Sequence, residues 1–236
     1  MYLRSKDLNV AEQIFDTILT RFPRHPALGT VYYTLGQIYA AQGRKEEELQ
    51  LYQQGVDAHV YASVLQRPMF SYPKLFSQGK PYGDEQMLAA LAEPIGLLES
   101  KSAEIITELT PYITDTLSLP KDMEGLAENG EWNQLVLVRN GQLNMKVLEA
   151  LPVTGAVVQK IRDEYAADMP RCSMELSVLS GNTHIKPHCG PVNYRVRLHL
   201  GLQVPADCAI RVGEETRTWE EGKVLVLDDS FEHEVS

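Results

Sequence analysis

The sequence predicts an α+β chain, with helices through its first half and a β-domain of barrel or jelly-roll type in its last third. Three observations carry this. Apolar residues recur at helical spacing up to about residue 66 and again from 84 to about 113. From residue 133 the pattern changes to short segments that alternate or carry β-branched residues. In the last third the strands from CSMELSVLSG onward are divided by turn residues that leave no room for helices between them, which disfavours a parallel α/β sheet and favours a barrel or jelly roll with helices against it.

Residues 1–66 form the first unit. AEQIFDTILTRF places Ile14, Ile18 and Phe22 four apart with Phe15 and Leu19 beside them, predicting one buried stripe before Pro23 and Pro26 end the helix. VYYTLGQIYAAQGRKEEELQLYQQGV reads as two further helices divided at Gly43, a residue suited to a C-cap. Tyr32, Leu35, Ile38 and Tyr39 are the expected buried side of the first, and Leu49, Tyr52 and Val56 of the second. Helix pairs of this kind resemble tetratricopeptide repeats, over little more than one repeat. The abrupt opening, without a capping repeat, predicts upstream sequence.

Residues 67–83 hold three prolines and two glycines and read as an extended linker. The third unit, 84–236, begins with a helical lead-in that kinks or breaks at Pro94. Leu88, Leu91 and Ala92 are expected on one face of it, and Ile105, Ile106 and Leu109 on one face of its second half. NQLVLVRNGQLN predicts a strand and a turn at Asn140-Gly141, and VTGAVVQKIRDEY a helix. CSMELSVLSG, VNYRVRLHLGL, CAIRVG, ETRTWEEG and KVLVLDD are the remaining strands.

Composition narrows the function. The 236 residues carry 22 basic and 32 acidic side chains, a net charge of −10 with no basic stretch, which argues against a nucleic-acid partner. No run approaches the roughly 18 apolar residues of a transmembrane helix, so no membrane segment is expected in this chain. Cys172, Cys189 and Cys208 lie far apart and suggest neither a disulfide framework nor a CxxC site. No glycine-rich nucleotide motif is present.

Two clusters carry chemistry. In VNYRVRLHLGL, period two puts Arg195, Arg197 and His199 on one face, where they require counter-charges or a bound anion. His188 precedes one strand and His233 follows another, a placement from which imidazoles of separate elements build a metal site. His184 lies four residues before His188, but Pro187 argues against helical ligand spacing. Asp228, Asp229 and Glu232 are candidate third ligands or acceptors that orient an imidazole, and spacing alone does not choose. Cys189 lacks the context of a nucleophile, and Trp219 reads as a core anchor.

HIKPHCGPVNYRVRLHLGL and ETRTWEEGKVLVLDDSFEHEV resemble the aspartyl/asparaginyl β-hydroxylase family, non-haem iron(II) and 2-oxoglutarate-dependent oxygenases. Weaker similarity runs back through GEWNQLVLVRNG to about residue 68, and the helical start resembles the domain preceding the oxygenase in the animal enzymes. The resemblance implies a double-stranded β-helix in which His188 and His233 bind Fe(II), with Gly190 where most such oxygenases have a carboxylate ligand. It removes Asp228 and Asp229 from the ligand set. It assigns Ser177, Arg197 and His199 to 2-oxoglutarate, and Arg195, Glu124, Trp132 and Gln134 to the substrate side. Dioxygen is the implied co-substrate. The implied reaction is hydroxylation of the β-carbon of Asp or Asn in a protein, with epidermal-growth-factor-like domains as one substrate class.

This sequence departs from the family at three places, one of them the loop after Leu135 to Asn140, which is shorter than in the animal enzymes and lacks their two disulfide-forming cysteines. Ala127 stands where a substrate-contacting arginine is expected, and the chain stops at Ser236, before an arginine expected ten residues after the second histidine. The expectation is therefore a C-terminally truncated form lacking its last strand or strands, binding iron weakly and 2-oxoglutarate poorly. The alternative is a catalytically inactive scaffold or protein-interaction form. An animal-type enzyme implies the endoplasmic reticulum lumen through an upstream anchor; otherwise the cytoplasm is expected.

Overall fold

A computed structural model describes residues 8–72, 79–121, 125–166 and 172–236. The α+β class holds: helices dominate to residue 118, and every strand-to-strand pairing among the described residues is antiparallel.

The N-terminal unit contains α1 (Leu8–Arg21), α2 (Leu28–Ala41) and α3 (Lys45–Asp57). Gly43, at φ +73°, ends α2 in a Schellman turn: its N–H donates to Ala40 O at 3.0 Å and that of Arg44 to Tyr39 O at 2.9 Å. Tyr32, Leu35, Ile38 and Tyr39 are buried as expected. The expected stripe of α1 is buried only in part. Ala11 is buried and Phe15 and Leu19 pack against the helical core, whereas Ile14 and Phe22 are exposed. Both faces have helical spacing, but α2 covers only one of them. On α3, Leu49 is exposed and Leu51 is buried beside Tyr52 for the same reason.

The lead-in forms α4 (Glu85–Ala90), α5 (Ala92–Ser100) and α6 (Ser102–Thr114). The break falls at Leu91, three residues before Pro94, which sits in the first turn of α5 where its missing N–H costs nothing. Leu88 and Ala92 are exposed rather than packed, while Ile105 and Leu109 enter the core and Ile106 is half-buried.

The β-domain opens with β1 (Ala127–Asn129), β2 (Trp132–Arg139) and β3 (Gln142–Leu143). It continues through α7 (Met145–Leu148), α8 (Pro152–Tyr165), β4 (Ser173–Leu179), β5 (His184–His188) and β6 (Arg197–Leu200). Then come β7 (Ile210–Val212), β8 (Glu215–Arg217), β9 (Val224–Leu227) and β10 (His233–Val235). Asn140 (φ 51°) and Gly141 (φ 76°) make the predicted β2–β3 hairpin turn, both in the left-handed region. The strands form sheets ordered β1-β5-β10-β7-β8, β3-β2-β4 and β6-β9. Helix α8 packs on β2, α6 packs on α8, and α5 packs on α8, β6 and β9, so that Ile105, Leu109, Val157 and Val158 share one core with Leu135, Leu137 and Leu176. A smaller core of Tyr82, Ile210, Val212 and Leu227 lies within the rest of the β-domain. No described helix is long and apolar enough to cross a membrane.

The segment expected to be one long strand over VNYRVRLHLGL becomes regular strand only at Arg197. Residues before it are engaged elsewhere: the Asn193 side chain bonds the backbone of Tyr72, and Arg195 turns to Asp229.

Candidate functional site

Antiparallel pairing of β5 with β10 sets His188 directly opposite His233. Their rings lie 4.1 Å apart between centroids, tilted by 52°, so the expected convergence is met. Each ring is held by its own strand. His188 Nδ1 donates to Lys186 O at 2.8 Å, and His233 Nδ1 donates to Phe231 O at 2.9 Å. A carbonyl can only accept, so Nδ1 carries a proton in both rings, and the neutral form of each keeps its lone pair at Nε2. The backbone thus leaves Nε2 of both rings as the nitrogen open to a metal ion.

No group of three His, Cys, Asp or Glu side chains able to hold a metal occurs among the described residues. Asp229 does not complete one, because it is engaged by arginines. Arg195 Nη2 and Arg197 Nε donate to its Oδ2 at 2.7 and 2.9 Å. The two guanidinium groups outweigh the burial of this carboxyl and hold its pKa down at about 2. The counter-charge that Arg195 and Arg197 need is thus supplied by the chain itself.

Gly190 explains why Asp229 fits. Its N–H donates to Asp229 O at 2.5 Å, and a Cβ built on it would meet the Asp229 carboxyl atoms at 2.5–2.8 Å. Any side chain here would displace the anion from between its arginines. Removing the anion instead is expected to be costly. Asp229→Ala removes the charge partner of Arg195, which is nine-tenths buried, and one partner of Arg197, and is expected to lower unfolding free energy by about 3–5 kcal/mol, read by urea denaturation.

His199 extends the site along β6. Trp219 Nε1 donates to its Nδ1 at 3.4 Å with the rings near-parallel, which assigns the proton to Nε2. Burial first, then Arg197, push its pKa down to about 4. Arg197 reaches in the other direction, to Ser173 Oγ at 3.3 Å on β4. Ser177 lies four residues along that strand on the same face, where its hydroxyl accepts from Trp132 Nε1 at 2.6 Å. Gln134 faces Ser177 across the β2–β4 ladder. The structure therefore brings His188, His233, Arg195, Arg197 and His199 around Asp229 and Gly190, and sets Ser177, Trp132 and Gln134 on the adjoining strands. Glu124 lies outside the described residues. Asp228, left open by spacing, instead receives the Ser230 N–H at 2.9 Å in a local turn.

His184 stands apart from this cluster, its two ring nitrogens 3.1 Å from Glu128 and Glu234, which raise its pKa. Cys189 is buried and its thiol pushed up to about 11, unlike a nucleophile.

A family model described as aspartyl/asparaginyl beta-hydroxylase matches residues 99–236, and a tetratricopeptide repeat model matches residues 1–59. The aspartyl/asparaginyl beta-hydroxylase of Mus musculus is 35% identical over 212 residues, 88% of this chain and 27% of that protein. The Homo sapiens protein of the same name is 34% identical over the same shares. The ornithine lipid ester-linked acyl 2-hydroxylase of Rhizobium tropici is 35% identical over 116 residues, 48% of this chain and 39% of that protein. The chain spans about a quarter of the length of the first two relatives.

Proposed function

Because the chain belongs to the aspartyl/asparaginyl β-hydroxylase family, we propose that it hydroxylates the β-carbon of Asp or Asn residues in a protein substrate, using Fe(II), 2-oxoglutarate and dioxygen. The observation that carries this reading is the pair of facing imidazoles, each with Nδ1 tied to a backbone carbonyl and Nε2 available. That donor set fits an ion such as Fe(II), to which His188 and His233 would supply two nitrogen ligands and leave the remaining positions to cofactor, water and dioxygen. Iron with 2-oxoglutarate supplies the oxidation of an unactivated C–H bond.

The chain's own residues select and orient. Arg197 and His199 present a guanidinium and an imidazole N–H on one side of the histidine pair, suited to a carboxylate. Ser177 offers a hydroxyl on β4, on the face that Arg197 reaches through Ser173. Arg195 is held by Asp229 on the same side, while Trp132 and Gln134 line the strand beside Ser177 and are assigned to the substrate side. The three antiparallel sheets are read as a double-stranded β-helix with the histidines at one end. A protein substrate, with epidermal-growth-factor-like domains as the class to try first, is favoured over a lipid. The similarity to the mouse and human hydroxylases reaches into the helical unit, whereas the lipid-hydroxylase similarity covers about half of the chain.

The test is to incubate the chain with Fe(II), 2-oxoglutarate, oxygen and a peptide from such a domain. The expected result is succinate formed together with one added oxygen atom on an Asp or Asn side chain. Absence of both, with no metal binding by the apoprotein, overturns the reading and leaves the scaffold role.

A further inference from the structure

The stretch 65–72, which runs from the end of the expected helical unit into the start of the expected linker, touches both loops that carry the histidines. On one side it is fixed to the helices. The Arg67 guanidinium stacks 4.1 Å over the Tyr52 ring, the buried Tyr61 hydroxyl donates to Gly29 O at 2.7 Å, and Gly29 packs so closely that a Cβ there would meet Met69 O at 2.6 Å. On the other side it pairs with the residues just before His233. Gln66 bridges Phe231 and donates from Nε2 to Ser230 Oγ at 2.9 Å, with both residues buried. The Glu232 N–H donates to Leu65 O at 2.6 Å, and Arg67 Nη2 donates to Glu232 Oε2 at 2.6 Å.

Five residues further along, the same segment holds the loop that follows His188. The Phe70 N–H donates to Pro191 O at 2.9 Å and the residue bridges Val192 in parallel. The Asn193 side chain accepts from Tyr72 N–H at 2.9 Å and donates to Tyr72 O at 3.1 Å. One continuous stretch, 65–72, therefore spans the two loops and is itself anchored on α2 and α3.

We propose that residues 65–72 are a strap that positions the two histidines, with Gln66, Arg67 and Asn193 as positioning residues, so that seating of the helical unit on the β-domain sets metal affinity. This rests on the reading of His188 and His233 as metal ligands. The physical reason is that two protein ligands leave little redundancy. A small displacement of either loop separates the Nε2 atoms, and partners that orient ligands typically contribute about 10- to 100-fold in metal affinity.

The experiment is calorimetric titration of the full apoprotein with Mn(II), alongside its thermal melt without metal. Arg67→Met keeps an unbranched chain over Tyr52 and removes the ion pair, and is expected to weaken Mn(II) by about 10- to 100-fold, with Arg67→Lys recovering part of it. Asn193→Ala tests the other end of the strap should Arg67→Met fail to fold. Arg44→Met, which breaks the Glu12 and Glu47 pairs inside the helical unit, is the control expected to lower the melting temperature and leave affinity unchanged. Folded strap variants that bind Mn(II) as the wild type does overturn the proposal. A wild type that binds no Mn(II) overturns the metal reading beneath it.

Discussion

His233→Ala is expected to abolish measurable metal binding and hydroxylation while leaving a folded protein. On the proposed metal reading the protein contributes two imidazoles, so removing one halves the donor set. The loss should exceed the roughly 10- to 100-fold that removing an outer-shell partner costs. Folding should survive because the deleted ring makes one hydrogen bond, to Phe231 O, beside its contact with the His188 ring, and the β10 ladder to β5 and β7 runs through backbone. Calorimetry with Mn(II), paired with a thermal melt, checks both halves. Mn(II) affinity within about tenfold of wild type in the variant would mean that the ion sits elsewhere.

The histidine pair was legible in sequence because its two blocks resemble a known family, but its geometry was not. Pairing between strands far apart in the chain fixes the 4.1 Å approach, and no local pattern encodes which strands become neighbours. Period two on Arg195, Arg197 and His199 demanded a counter-charge, and the anion supplied is Asp229, a residue that the resemblance had only removed from the ligand list. On α1 the expected stripe was too wide: Phe15 and Leu19 pack against the core together with Ala11, while Ile14 and Phe22, at the same helical spacing, stay exposed because the neighbour covers only one side. The strap is the clearest case of missing signal. Most of its bonds run through backbone N–H and C=O groups, which every residue carries, so three prolines and two glycines read only as a linker.

Acid should unfold the apoprotein earlier than its carboxylates alone would require. His199 and His233 have pKa values pushed down to about 4: burial is the first cause in both, followed by Arg197 for His199 and by His188 for His233. In the unfolded chain both titrate at their ordinary value near 6.5. Between these values the unfolded state binds a proton at each ring and the native state does not, so stability falls as pH falls, by about 1.4 kcal/mol per unit for each ring. From pH 6.5, where the unfolded rings are only half protonated, down to pH 5 the pair removes about 3 kcal/mol, a large share of the roughly 5–15 kcal/mol that holds a domain together. Asp229 acts in the same direction only below pH 4, because its carboxyl must be protonated against two arginines. Asp228 and His184, whose pKa values are raised, gain native-state protons as pH falls and oppose the loss. His184 is held by half-exposed partners and counts for little, and Asp228 is a single group, so the two rings dominate. Urea denaturation with a chelator present should therefore show a steep loss between pH 6.5 and 5. His199→Gln should cut that slope by about half, since one of the two protonations is gone. Stability that stays level from pH 7 to 5 would mean that these rings are hydrated in the native state, and that the site is open to water before any ligand binds.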